Sequence, residues 1–359
     1  MKILYAIQGT GNGHIARARE VIPFLQREHQ VDILISGTQA DIDLPFAEKY
    51  KFNGLSFIFG KKGGVDIFQT YKKSNLRKLY KEVYTLDVFQ YDLILNDFEP
   101  VSAWACRLLH KPCISVSHQA AVLNKKAPKP KNTDIIGKTI LKRYAPTTSQ
   151  YGFHFQAYDK NIFTPVIRKE VRDLVVENKG HYTVYLPAYD DKRIIKILQE
   201  CGSTKWEVFS KHNKKIIELK NIIVRPINNE AFIKSMATSE GVLCGAGFET
   251  PAEALFLKKK LMVIPMKTQF EQQCNAAALK KMNVSVIKSL KKKHIDKIRT
   301  WLQSTHSIVV NYPDNTAAIL KEIIATHDPL KTKTILTPGK KIDSLKKFHK
   351  ENLKLMSDF

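Results

Sequence analysis

The sequence predicts an α/β fold of two Rossmann-like, doubly wound halves that face each other across a cleft. Three observations predict it. Near the start, an apolar strand over residues 2–7 feeds a turn carrying Gly9, Gly11 and Gly13, then a helix over residues 15–28. Strand, glycine turn and helix is how a doubly wound sheet begins. Far downstream the order repeats: a strand over residues 241–244 runs into Gly245 and Gly247 and then a helix. Finally, 359 residues are long for one core and ordinary for two.

Composition narrows the classes. The chain is 43% hydrophobic, as a globular protein with ample core is. Five scattered cysteines, odd in number and without Cys-x-x-Cys spacing, predict reduced thiols and no structural zinc. No leader pattern precedes the first strand and no apolar run reaches membrane-spanning length, so a cytoplasmic protein is expected. The net charge of +24 draws phosphates of any kind, whether nucleic acid, anionic lipid or anionic substrate. No basic helix interleaved with aromatics is found, so nucleic acid is not the expected partner.

In the first half, the helix after the glycine turn keeps apolar residues in register at Ile15, Ala18, Val21, Ile22 and Leu25. A dinucleotide site does not fit, because the glycines alternate and the second strand, residues 31–35, ends on Ser36 and Gly37 rather than an acid. Residues 52–59 form an expected strand. Residues 61–73 mix Phe68 and Tyr71 with Lys61, Lys62, Lys72 and Lys73, which suits a lipid surface, an acceptor cleft or a solvated loop. A helix is expected over residues 76–89. A strand over residues 91–97 ends on Asp97, with Glu99 and Pro100 behind it. Another, over residues 112–119, ends on His118 and Gln119. The carboxyl ends of such strands gather functional groups. Residues 124–131 read as an exposed basic loop, and residues 152–156 as the last strand of this half.

The expected division is residues 1–160, a linker with a charged helix at 161–179, a second half at 180–325, and a basic tail at 326–359. The tail either packs back on the first half or is partly disordered. In the second half, a strand over residues 181–186 ends at Pro187. Ile227 follows a strand over residues 221–225. Thr250 is the expected N-cap of the downstream helix, with Pro251 in its first turn and Glu253 three residues after the cap. Glycines before a helix N-terminus make a nest of free N–H groups suited to phosphate. A further strand ends at Pro265, and Gln269, Glu271 and Gln272 open the next helix with groups that bond hydroxyls.

Taken together, Gly247, Thr250, Glu253, Pro265, Glu271, Gln272, Asn275 and Ala276 resemble the donor site of nucleotide-sugar glycosyltransferases of the GT-B fold. The first loop, with Gly11, Gly13 and His14, is similar to that of the same enzymes, including the peptidoglycan enzyme that glycosylates a lipid-linked intermediate (families 28 and 1). The resemblance implies that His14 is the general base and that Asp97 orients it, with Glu99 as the alternative. It implies that Gly247 and Thr250 hold the diphosphate and that Glu253 meets the ribose, with Gly245 and Glu249 also on the donor side. The backbone at Ile227 would meet the base, Glu271 and Gln272 the sugar, and Asn275 would stiffen the turn. His118 and Gln119 would line the acceptor side. Two departures stand out: Glu249 replaces an Asn of plant relatives, and residues 187–190 lack the expected glycines and serine. The implied substrate is a UDP-linked hexose, with no cofactor and no metal. The implied acceptor is a lipid or lipid-linked hydroxyl at an anionic membrane surface, which the basic charge would favour. Two other readings stay open: a nucleotide-sugar epimerase or hydrolase of the same fold, and a non-catalytic nucleotide-sugar binding protein.

Overall fold

The computed structural model describes residues 1–37, 44–55, 59–60, 64–65, 76–131 and 134–329. Most of the basic, aromatic stretch at residues 61–73, and the tail from residue 330, lie outside them.

The first half runs β1 (Lys2–Gln8), α1 (Asn12–Glu28), β2 (Gln30–Ser36), β3 (Tyr50–Phe52), a small ladder of β4 (Phe59–Gly60) and β5 (Gly64–Val65), and α2 (Leu76–Thr85). It continues with β6 (Leu93–Asp97), α3 (Pro100–Leu108), β7 (Ile114–Val116), α4 (His118–Leu123), α5 (Ile135–Tyr144), β8 (Ser149–Phe153) and β9 (Ile162–Phe163). A short helix, α6 (Lys169–Arg172), leads to β10 (His181–Tyr185), α7 (Asp191–Gln199), β11 (Lys205–Ser210), β12 (Ile217–Glu218) and β13 (Ile222–Pro226). Then come α8 (Asn229–Thr238), β14 (Gly241–Gly245), α9 (Glu249–Phe256), β15 (Lys260–Ile264), α10 (Phe270–Lys281) and β16 (Ser285–Val286). The order closes with α11 (Ile295–Gln303) and α12 (Thr316–Thr326).

Two seven-stranded sheets result, in the orders β3-β2-β1-β6-β7-β8-β9 and β12-β13-β11-β10-β14-β15-β16. Every neighbouring pair in them is parallel except β12 with β13. Each sheet starts in its middle and reverses direction beside its first strand, between β1 and β6 and between β10 and β14. A crevice opens at such a switch point, outside the carboxyl ends of the strands. Parallel strands under helices must be apolar on both faces, and β1 and β15 are buried almost throughout. One continuous cluster of buried side chains runs from Ile7 and Val21 through Phe155 and Ile167 to Phe248, Val263 and Leu279, so the two sheets share core.

Several sequence expectations are corrected. The charged helix expected in the linker at residues 161–179 shrinks to the four residues of α6, and β9 forms within the same linker as the edge of the first sheet. The segment's β-branched residues are weak helix formers, and Ile167 and Val171 gain more by burial in the shared core. β3 ends at Phe52, short of the longer strand expected. The loop at residues 124–131 is only partly exposed, because Ala127 is buried and the Lys129 ammonium donates to the carbonyls of Asn124 (2.8 Å) and Ala127 (3.1 Å). Finally, α12 crosses back to pack against α1. Tyr312 Oη there donates to the Phe155 carbonyl at 3.0 Å.

Candidate functional site

The first switch point is shaped by glycine before it is charged. Gly9 N–H donates to the Ser36 carbonyl at 2.7 Å, and a Cβ at Gly9 would lie 2.8 Å from Ile35 Cγ2. Gly11 has φ of 96°, which glycine alone adopts readily. The turn therefore hugs β2 and starts α1 at Asn12, three residues earlier than expected, which places His14 inside the first turn of the helix.

There, His14 Nδ1 lies 2.8 Å from Asp97 Oδ1 at the end of β6. Asp97 is fully buried. Burial would raise its carboxyl, but the Arg17 guanidinium and His14 outweigh that and hold it below its ordinary range. An ionised carboxylate only accepts, so Nδ1 carries the proton and Nε2 holds the lone pair. Gln119 Nε2 reaches that Nε2 at 3.4 Å and Glu271 Oε2 at 3.0 Å, which fixes the direction of its amide. The fallback acid, Glu99, is elsewhere engaged: it caps α3, accepting from the N–H groups of Val101 and Ser102 at 2.6 Å each.

Arg17, which the sequence reading passed over, completes this cluster. Its Nε donates to Asp97 Oδ2 (2.9 Å), its Nη2 to Asp97 Oδ1 (2.7 Å) and its Nη1 to Glu249 Oε1 of the other half (2.9 Å). Spacing offered a signal, since an arginine one turn after His14 shares its helix face.

The second switch point is built the opposite way. α9 starts at Glu249 with Phe248 as N-cap and no side-chain cap, not at Thr250 as expected. Pro251 sits in the first turn, where no N–H bond is lost. The capping-box role for Glu253 falls away too. Its carboxylate is buried and takes a side-on fork from Arg168, at 2.6 Å to Nε and 2.9 Å to Nη2. Burial pushes the Glu253 carboxyl above its usual range against the pull of Arg168. Each carboxylate oxygen keeps a further lone pair for a hydroxyl. Arg168 was also missed, because it lies in the segment expected to be a plain helix. α1 and α10, whose first residues also border the cleft, likewise lack a side-chain cap. By contrast α3, α4, α5, α7 and α8 are capped by Glu99, Ser117, Asp134, Asp190 and Asn228. α11 and α12 lack caps as well, so the meaning lies in where the first three helices point.

The halves meet over the remaining predicted residues. The His118 ring stacks on Phe248 with centroids 3.9 Å apart, and its nitrogens meet the Phe153 carbonyl (2.8 Å) and Asn275 Oδ1 (2.9 Å). A neutral imidazole donates to only one of these oxygens, so His118 bridges the halves by its stack on Phe248 and a single hydrogen bond. Asn275 Nδ2 donates to the Ala246 carbonyl in the turn before α9 at 3.2 Å. Gln272 Oε1 accepts from Met266 N–H at 3.1 Å, and the Ile227 N–H is taken by Ser210.

Between the switch points lies a cleft of about 550 Å³, lined by His14, Arg17, Gly247, Thr250, Glu253 and Gln272 among others. A smaller recess of about 130 Å³ runs from His14 toward Phe98, Ile140 and Leu141 of the first half. A third, of about 100 Å³, lies between Pro187 after β10 and Gly245 and Gly247 after β14. Thr10 Oγ1, Gln119 Oε1 and Gln269 Oε1 are buried at these walls without a protein hydrogen-bond partner. Among the described residues, no group of three or more His, Cys, Asp or Glu side chains is arranged to hold a metal ion. None of their helices is long and apolar enough to cross a membrane. All five cysteines are buried and free.

Two facing doubly wound sheets with a site in the cleft between them are the architecture of the GT-B glycosyltransferases. Residues 1–305 match the model of Glycosyl transferase family 1, and the chain belongs to that family. The fold is similar to that of the glycotransferase of kitacinnamycin, at TM-score 0.56 and 12% identity over 91% of this chain and 95% of that one. It is also similar to UGT2 of Phytolacca americana in complex with UDP-2fluoro-glucose and pterostilbene, at 0.55 and 12% over 98% of each chain. For MurG of Acinetobacter baumannii the values are 0.54 and 12%, over 90% of this chain and 99% of that one. No curated protein sequence matches the chain.

Proposed function

We propose that the protein transfers a hexose from a UDP-linked donor to a hydroxyl of a lipid or lipid-linked acceptor, without a resident metal or cofactor. The observation that carries this reading is the opposition of two features across one cleft. His14 is held by Asp97 with Nε2 as its basic atom, and facing it is the uncapped start of α9 behind Gly245 and Gly247.

In this reading the donor diphosphate lies at the N-terminus of α9, near Gly247 and Thr250, and the ribose diol takes the remaining lone pairs of Glu253. Glu271 and Gln272 face the sugar. The acceptor enters by the apolar recess beside Phe98, Ile140 and Leu141. His14 Nε2 takes the proton of its hydroxyl as the oxygen attacks the anomeric carbon. The bond from that carbon to the diphosphate breaks, UDP leaves with its charge against free N–H groups, and configuration inverts. Asp97 keeps Nδ1–H in place and stabilises the imidazolium that forms. UGT2 with its UDP-sugar analogue supports a UDP-linked donor, and the +24 charge supports an anionic membrane surface as the place of work.

The test uses radiolabelled UDP-glucose, UDP-galactose and UDP-N-acetylglucosamine with a total lipid extract. Wild type is expected to move label from one of them into the organic phase, and His14→Gln to lose at least about a hundredfold of that rate while binding UDP as before. Free sugar or an epimer formed without lipid would instead establish the hydrolase or epimerase reading. UDP binding with no turnover would leave a binding protein. Salt-sensitive association with phosphatidylglycerol vesicles is expected as well, and indifference to them would remove the membrane surface from the proposal.

A further inference from the structure

The first half is shaped to receive Glu249 of the second. Gly13 and Arg17 stand four residues apart on one face of α1. A Cβ at Gly13 would collide with the Glu249 carboxylate, while Arg17 Nη1 donates to its Oε1 at 2.9 Å. The same guanidinium grips both oxygens of Asp97, whose Oδ1 takes the proton-bearing Nδ1 of His14. One buried arginine thus joins the start of α9 to the base. We propose that Arg17 is a positioning residue and that the docking of Glu249 on it couples the seating of the donor half to the orientation of Asp97 and His14, an inference that rests on His14 being the base.

The coupling is geometric. Arg17 gives Nη1 to Glu249 while Nε and Nη2 hold Asp97, so the contact across the cleft fixes the plane of the fork that orients the Asp97 carboxylate. That carboxylate in turn fixes Nδ1–H of His14.

The experiment is NMR of the full chain labelled with ¹⁵N-histidine, with the His14 ring assigned by its loss in His14→Gln. In Glu249→Ala, which removes the acceptor of Nη1, the single Nδ1–H tautomer of His14 is expected to give way to a mixture, with the other histidines unmoved. In Arg17→Lys, which keeps the charge but not the fork, the same change is expected. An unchanged tautomer in either variant overturns the proposal. Calorimetric titration with UDP is run on the same samples and separates the two readings. A changed tautomer in a protein that ignores UDP would sink the donor site and leave the coupling standing.

Discussion

The two glycine turns look alike in the sequence and differ in what requires them. In the first, Gly9 is pressed against Ile35 and Ser36, Gly11 needs a positive φ, and Gly13 makes room for Glu249. The protein's own packing accounts for all three. In the second, a Cβ at Gly247 would meet nothing within 4 Å, one at Gly245 would come no closer than 3.9 Å to Gln272, and neither has a positive φ. Nothing in the chain forbids a side chain there, and in the proposed reading that space is taken by the donor.

Substitutions should divide along that line. The largest effect is expected for Asp97→Ala, which strands Arg17 in the interior. A loss of about 3–5 kcal/mol in denaturant unfolding is expected, as for removal of one partner of a buried ion pair, together with loss of turnover. A smaller cost is expected for Gly9→Ala, about 1–3 kcal/mol from crowding a packed contact. Gly247→Ala should leave the unfolding midpoint unchanged and weaken UDP binding about tenfold or more, the cost of about 1.4 kcal/mol. Equal destabilisation by the two glycine substitutions would erase the contrast between the turns.

The smallest effect concerns the seam between the halves. Burial holds His118 and His154 below the ordinary histidine value of 6.5. Each therefore binds a proton more readily unfolded than folded. Their contribution to stability is complete above about pH 6.5 and is lost as the pH falls below it, at up to about 1.4 kcal/mol per pH unit for each group. His154→Phe should flatten this decline between pH 6.5 and 5, read from urea midpoints. A slope unaltered in that variant would show that other groups govern acid stability.

Much of the architecture was legible because it rests on local chemistry. The apolar runs of β1, β14 and β15 and the glycine turns behind two of them marked two doubly wound halves, and the strand end at Asp97 pointed back to His14. What was hidden depends on long-range ion pairs. Arg168 belongs to a segment that looks helical by charge pattern, and its partner Glu253 lies 85 residues on. Arg17 could be placed on the face of His14 by spacing, but its second carboxylate, Glu249, is 232 residues away. Thr250 was misplaced as a cap because composition at a helix start resembles a capping box whether or not the side chain turns inward. For the same reason Glu99 looked like a second site acid, when its proximity to Pro100 made it a cap.

The central claim is that the open turn before α9 receives a nucleotide diphosphate opposite His14. The most direct measurement is calorimetric titration of UDP into wild type, His14→Gln and Gly247→Val, each first checked for an unchanged thermal midpoint. The account predicts saturable binding in wild type and His14→Gln, and its loss when a valine fills the space at position 247. Undiminished binding by Gly247→Val would contradict it and move the donor away from α9.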